Sequence, residues 1–330
     1  MPAFARSADF AVDKPAGRPC LNLADDFRCG IHHQLRDRGF PGCTVYDCFG
    51  AGQHLAQGTF DGRDWREHPE LADAMFAAFP VMRDLHELLW YLDAALARAE
   101  THDSHGDLEQ ARRETERLTE SDPDILRDTD TSAHQQKVNR LLVRASEAVR
   151  KNGTQPSRDA DPRSGNRGGA NLRGADPRST NHKGADHKGA DHKGADHKGA
   201  DHKGADHKGA SHSGASHSGA SHSGASHSGA SHKGANRSGA NLRGADLMGR
   251  DLRNANLTAA NLRGAYLIGA DLTNADLTDA DVIGADFRSA DVTKADLEKA
   301  LFLTQFQVNA ARGDAATTLP ETLTRPPHWA

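Results

Sequence analysis

Four cysteines fall within the first fifty residues, at Cys20, Cys29, Cys43 and Cys48, in the spacing C-x8-C-x13-C-x4-C. His32 and His33 lie between the second and the third. Clustered thiols in a chain without a visible leader suggest metal or redox chemistry before disulfides. Four thiolates suit zinc or an iron–sulfur centre, so all four are candidate ligands. Buried free thiols serving as small apolar residues are the competing account. Either histidine could replace a cysteine as ligand, although a surface position suits both. No His/Asp partner is spaced to activate a nucleophilic cysteine.

A second array is made of imidazoles. From His182 to His232 every fifth residue is histidine, with five identical copies of ADHKG between 185 and 209 and four of ASHSG between 210 and 229. Spaced imidazoles can take zinc, nickel or copper. Here no carboxylate or thiolate faces the same way, and the identity of the copies points to expansion of one unit. A neutral histidine held in an interior has a folded pKa below its unfolded value of about 6.5, so it loses stability as pH falls through that region. Residues 181–234 are therefore expected to be the least stable part of the repeat and to soften in acid.

Two other motifs carry less. Phe49-Gly-Ala-Gly-Gln53 lacks the Lys-Ser/Thr of a phosphate-binding loop and reads as a tight turn. Asp84, His86 and Glu87 share one helix, but no second histidine follows a turn later, so they read as a charged helix face.

The elements that must position these residues follow from periodicity. From Pro69, the residues Leu71, Met75, Phe79, Met82, Leu85, Leu89, Leu92 and Leu96 form one apolar stripe, with Pro80 predicting a kink or two helices. Asp107–Glu120 reads as a polar helix and Asp122-Pro123 as the start of another. The span from Ser132 to Lys151 carries Val138, Leu141, Leu142, Ala145 and Val149 on one face. Residues 1–152 are thus a mainly helical domain holding the cysteines, and 153–159 a linker.

From 160 to 303 the chain repeats every five residues: Ala, then Asp, Asn or Ser, then a central residue, a polar residue and often Gly, as in Ala240-Asn241-Leu242-Arg243-Gly244 and Ala270-Asp271-Leu272. An internal repeat of this length outranks local propensity as evidence. It resembles the bacterial pentapeptide-repeat family, A(D/N)LXX. The resemblance implies a right-handed quadrilateral β-helix with four pentads per coil, so the fold class is α+β multidomain, a solenoid preceded by a small helical domain. His-centred pentads, Pro162, Pro177, Thr180 and Arg250 depart from the pattern. Residues 304–330 resemble C-terminal tails that follow such repeats, and Val308, Leu319 and Leu323 are expected to cap the last coil. The run from Cys29-Gly-Ile-His32 to Cys43-Thr-Val-Tyr46-Asp47-Cys48 also resembles small cysteine-cluster domains that chelate zinc or iron, without their adjacent Cys-Cys pairs.

Charge and composition bound the function. Residues 1–150 carry 26 acidic and 18 basic side chains, whereas 160–303 carry 17 and 19. That near balance argues against direct nucleic-acid binding, which needs a basic excess. It also argues against imitation of DNA over the whole rod, although acidic residues gather after Asp271. No apolar run is long enough to span a membrane, and the first twenty residues lack a secretory signal, so a cytoplasmic location is expected. The expected function is a non-enzymatic protein-interaction scaffold with a protein partner, and a homodimer is compatible with it. One alternative is a DNA gyrase-binding protein. The other is a metal-dependent enzyme or metal-binding protein using zinc or iron at the cysteines.

Overall fold

The computed structural model describes residues 3–153 apart from 8, 36 and 45, the strand residues between 181 and 223, and residues 237–329. Two compact units divide between Ala145 and Ser146.

The first unit begins without long elements. Backbone bridges join Phe4 to Lys14 and Leu23 to Cys29. Short helices follow, α1 (Pro41–Thr44) and α2 (Ala51–His54), the latter running into a π-helical turn at Leu55–Thr59. Gly50, at φ +82°, turns the chain into α2, so the glycine run makes a turn as its composition suggests. Three longer helices are α3 (Ala72–Leu96), α4 (His105–Thr119) and α6 (Thr131–Gly153), the last belonging from Ser146 onward to the second unit, with the short α5 (Pro123–Asp128) between α4 and α6.

Pro80 does not divide α3, which is one helix throughout. Proline deletes one backbone hydrogen bond, but the stripe on either side of it is buried. Met75, Ala78, Met82 and Leu85 join Ala51, Leu55, Phe60 and Leu126 in one core. Burying each large side chain contributes roughly 1.5–3 kcal/mol, which outweighs a single lost bond. Leu108 and Ala111 of α4 and Val138 and Leu142 of α6 are buried as well.

In the second unit the pentad becomes geometry. Between 237 and 303 the central residue of each pentad and the Ala two places before it are buried: Leu242, Leu247, Leu252, Leu257 and Leu262 are wholly inside, as are Ala240, Ala260 and Ala265. The Asp or Asn before the centre accepts a hydrogen bond from the backbone N–H two residues on, as Asp271 does from Thr273 at 3.0 Å and Asn256 from Thr258 at 3.0 Å. The last position of each pentad turns the corner in the left-handed region, with Gly244 at φ +62°, Asn254 at +55° and Asn274 at +57°. Glycine and asparagine occupy that region at least cost, which favours them there, although Ala259, Asp279, Ser289 and Lys294 adopt it as well. Bridges connect Asn241 to Asn261, Asn261 to Asp281, and Asp251 to Asp271 to Asp291. The offset is four pentads, so each coil is a square of four sides and the element is a β-helix.

The His-centred pentads are paired differently. Among the described residues nine strands, β1 (Asn181–Lys183), β2 (Asp186–Lys188), β3 (His192–Lys193), β4 (Asp196–Lys198), β5 (Asp201–Lys203), β6 (Asp206–Lys208), β7 (Ser211–Ser213), β8 (Ser216–Ser218) and β9 (Ser221–Ser223), form three parallel sheets in the order β1-β4-β7, β2-β5-β8 and β3-β6-β9. Asn181 pairs with Asp196 and His182 with His197, an offset of three pentads. The four-pentad coil expected for the whole frame is therefore corrected over 181–223. Register is specified by differences between neighbouring residues, and identical pentads offer none. The side chains of the histidine ladder, on which the expected acid sensitivity turns, lie outside the described residues, as do the 154–159 part of the linker and the pentads before 181.

The coil ends at α7 (Gln305–Ala310), capped by Thr304, whose hydroxyl accepts from the Gln307 N–H while the Gln307 side chain accepts from the Thr304 N–H. Beyond it the chain returns to the sheet edge, where Asp291 bridges Arg312 and Asp296 bridges Thr318. Val308, Leu323 and Trp329 are buried, and Leu319 is half-buried. Among the described residues no helix is long and apolar enough to cross a membrane.

Candidate functional site

The cysteines are all reduced and half-buried. Cys20, Cys43 and Cys48 line one cavity of the first unit, a space of about 840 Å³ with walls from Phe4, Phe10, Phe27, Trp65 and Phe79. Cys29 sits on the bridge with Leu23 rather than in the cavity wall. Burial raises the Cys43 thiol, and negative charge on Cys20 or Cys29 would raise it further, so these three thiols are electrostatic neighbours. Cys48 Sγ lies 3.9 Å from Gln53 Oε1, and Cys20 Sγ accepts from the Asn22 N–H at 3.5 Å. His32 and His33 are exposed, their rings edge to face at 5.7 Å. Among the described residues no three His, Cys, Asp or Glu side chains converge as a metal-ligand set.

The helix face carrying Asp84, His86 and Glu87 is charged as read, but its histidine has a separate partner. Arg83 lies 3.4 Å from both Asp84 and Glu87. His86 donates from Nδ1 to the carbonyl oxygen of Phe49 at 2.8 Å, which leaves Nε2 as the acceptor for His54 Nδ1 at 2.9 Å. Burial holds His86 below the usual imidazole range; the Phe49 bond works against this and charge on His54 adds to it. The pairing joins residues 32 apart, one on α2 and the other on α3. No local spacing signals it.

The coil offers a different surface. Asp246, Tyr266 and Asp286 are bridged one above another on one side of the square. The equivalent positions two residues on are Met248, Ile268 and Arg288. Met248 is 49% exposed and Tyr266 51%. Arg288 lies over Asp286, with Nη2 to Oδ2 at 2.7 Å. The stacked columns thus present apolar side chains beside carboxylates on a flat, hydrogen-bonded wall. Sequence reading passed over this face because Tyr266 and Met248 occupy positions whose usual occupants are Asp and a polar residue.

A square coil with mostly leucine centres, left-handed corners often made by glycine or asparagine, and an Asp or Asn accepting from the backbone N–H two residues on has the form of a pentapeptide-repeat solenoid. This chain carries pentapeptide repeats: residues 251–288 and 265–302 match the family model of pentapeptide repeats, in 8 copies. The uncharacterized protein YybG of Bacillus subtilis (strain 168) is 44% identical over 153 residues, which is 46% of this chain and 55% of that protein. The chain thus spans about half the length of that curated relative. Similar solved structures include HetL, a pentapeptide-repeat protein involved in heterocyst differentiation regulation in Nostoc sp. strain PCC 7120, at 20% identity, TM-score 0.23, 46% of this chain and 92% of that one. QnrB1, a plasmid-mediated fluoroquinolone resistance protein, is similar at 17% identity, TM-score 0.23, 48% of this chain and 92% of that one.

Proposed function

We propose that this protein is a non-enzymatic scaffold whose square coil binds a protein partner. The observation that carries this reading is the Met248, Tyr266 and Ile268 surface, large apolar side chains held in register beside Asp246, Asp286 and Arg288. Exposed apolar side chains on a rigid wall, rimmed by charge, are what a protein interface uses. A photo-crosslinking residue at Tyr266, compared with one at Thr293 on another side, tests it in cells of the source organism. Discrete adducts at 266 that are absent at 293 support the reading, and the same pattern at both positions refutes it. If the adduct contains DNA gyrase, inhibition of supercoiling by the purified chain is the next assay.

A second reading places a metal at Cys20, Cys29, Cys43 and Cys48. It is supported by the electrostatic coupling of Cys43 to Cys20 and Cys29. The side chains would have to close on the ion, because they do not converge as they stand. Elemental analysis of untagged, anaerobically purified chain decides it. One zinc or iron per chain that is lost in Cys43→Ser supports the reading, and no metal retires it.

A further inference from the structure

The cavity of the first unit has the form of a small-molecule site. Its volume of about 840 Å³ falls within the roughly 300–1,000 Å³ of such sites. Two groups of aromatic rings line it. In one, Phe4 stacks on Phe10 with ring centroids 4.2 Å apart. In the other, Phe27, Trp65 and Phe76 follow one another at 5.8 and 5.7 Å.

The walls carry few charges. Asp64 is committed to the backbone, accepting from the N–H groups of Arg66 at 2.7 Å and Glu67 at 2.9 Å. Lys14 is the cation of the lining. Its backbone exchanges two hydrogen bonds with Phe4, at 2.9 and 2.8 Å, which fixes it against the first wall. Its ammonium lies 5.6 Å from the Phe4 ring centroid and donates to the Pro15 carbonyl at 3.1 Å. The residue is only 9% exposed. Burial lowers the Lys14 pKa, and negative charge on Cys20 opposes the shift. A carboxylate arriving beside it would act in the same sense as that charge and stabilise the ammonium.

We propose that this cavity binds an apolar monocarboxylic acid, its hydrocarbon body between the two aromatic walls and its carboxylate against the ammonium of Lys14. The apolar walls provide affinity without direction, and Lys14 selects the acid over the neutral alcohol of the same chain length.

Titration of the full chain with cis-parinaric acid, followed by displacement with palmitic acid and with hexadecanol, tests this. The expected result is saturable one-to-one binding, with palmitic acid displacing the probe at least tenfold more tightly than hexadecanol. Lys14→Gln should remove that preference and leave the alcohol unchanged, and Ala56→Trp, which fills the cavity wall, should block both. Absence of saturable binding, or equal affinity for acid and alcohol in the unsubstituted protein, overturns the proposal whether or not the variants fold.

Discussion

Arg263 reaches from one coil to the next and donates from Nε to Asp281 Oδ2 at 2.5 Å, on a side of the solenoid where the Asp281 side chain is wholly buried and that of Arg263 is 7% exposed. Elsewhere the same pentad position is solvated, as at Asp246. In this region Arg150 donates to the Ala259 carbonyl at 3.1 Å and lies in the field of Asp281, while Phe302 lies under the Arg263 guanidinium. A buried pair of this kind is costly to break from one side. Arg263→Ala should destabilise the chain by about 3–5 kcal/mol. Replacing both partners, as Arg263→Met with Asp281→Asn, should recover most of that, because Asn can still accept from the Ile283 N–H. Urea unfolding of the three proteins checks it; a cost below about 1 kcal/mol for the single change would mean that the pair behaves as an exposed one.

His86 supplies a pH dependence with a definite sign. Its folded pKa is depressed by burial, so its stabilising contribution is complete above the unfolded value of about 6.5 and is lost as pH falls through the folded value. Protonation would also place an N–H on Nε2, facing the Nδ1 of His54. His86→Gln keeps a donor for Phe49 and cannot protonate. The unsubstituted chain should lose melting temperature relative to this variant between pH 7.5 and 5. Parallel curves would show that His86 is not held neutral.

Gln307 ties the cap to the coil. Its Nε2 donates to the carbonyls of Val282 at 2.7 Å and Ala285 at 3.0 Å, while Oε1 accepts from the Thr304 N–H at 2.9 Å. Gln307→Ala should cost about 1–3 kcal/mol, the usual penalty for leaving buried polar groups unmatched. Gln307→Glu preserves the capping acceptor but loses the donor, and should be destabilised as well. If Glu restores full stability, the helix cap matters and the two carbonyl bonds do not.

Within a pentad the centre and its flank should differ in weight. Leu272 is wholly buried, so Leu272→Ala should cost about 2–5 kcal/mol. Asp271 accepts from the Thr273 N–H at 3.0 Å and hydroxyl at 2.6 Å on a half-exposed surface, so Asp271→Ala should cost about 1 kcal/mol. Chemical denaturation of the pair measures the ratio, and equal losses would contradict the division of labour read from burial.

Much of this architecture was legible in the residues. Leucine or valine in the middle of each pentad marks the inward side, as Leu267 and Val282 show. Gly264 and Gly269 mark corners with positive φ. In the helical unit the stripe from Met75 to Leu92 was visible, and of the two outcomes that Pro80 allowed, a kink or two helices, the burial around it overrode the division into two helices. The candidate sites were less legible. The spacing of Cys20, Cys29, Cys43 and Cys48 announced a cluster, but not that Cys29 would lie apart from the cavity the other three line. His54 was unmarked, because its partner is reached through a turn and a helix rather than along one face.

The sequence by itself determined the side of the coil, because five residues make one straight run and one corner, and the residue types say which atoms face inward and which turn. It also determined that helices precede the coil. The tertiary structure decided the pairing offset, four pentads between 237 and 303 and three pentads for the strand residues described between 181 and 223, since pentads that look alike can pair at either offset. It also decided which carboxylate is buried, which histidines meet and where Lys14 points its charge, because each depends on segments distant in the chain arriving at one place, and local spacing does not encode that arrival.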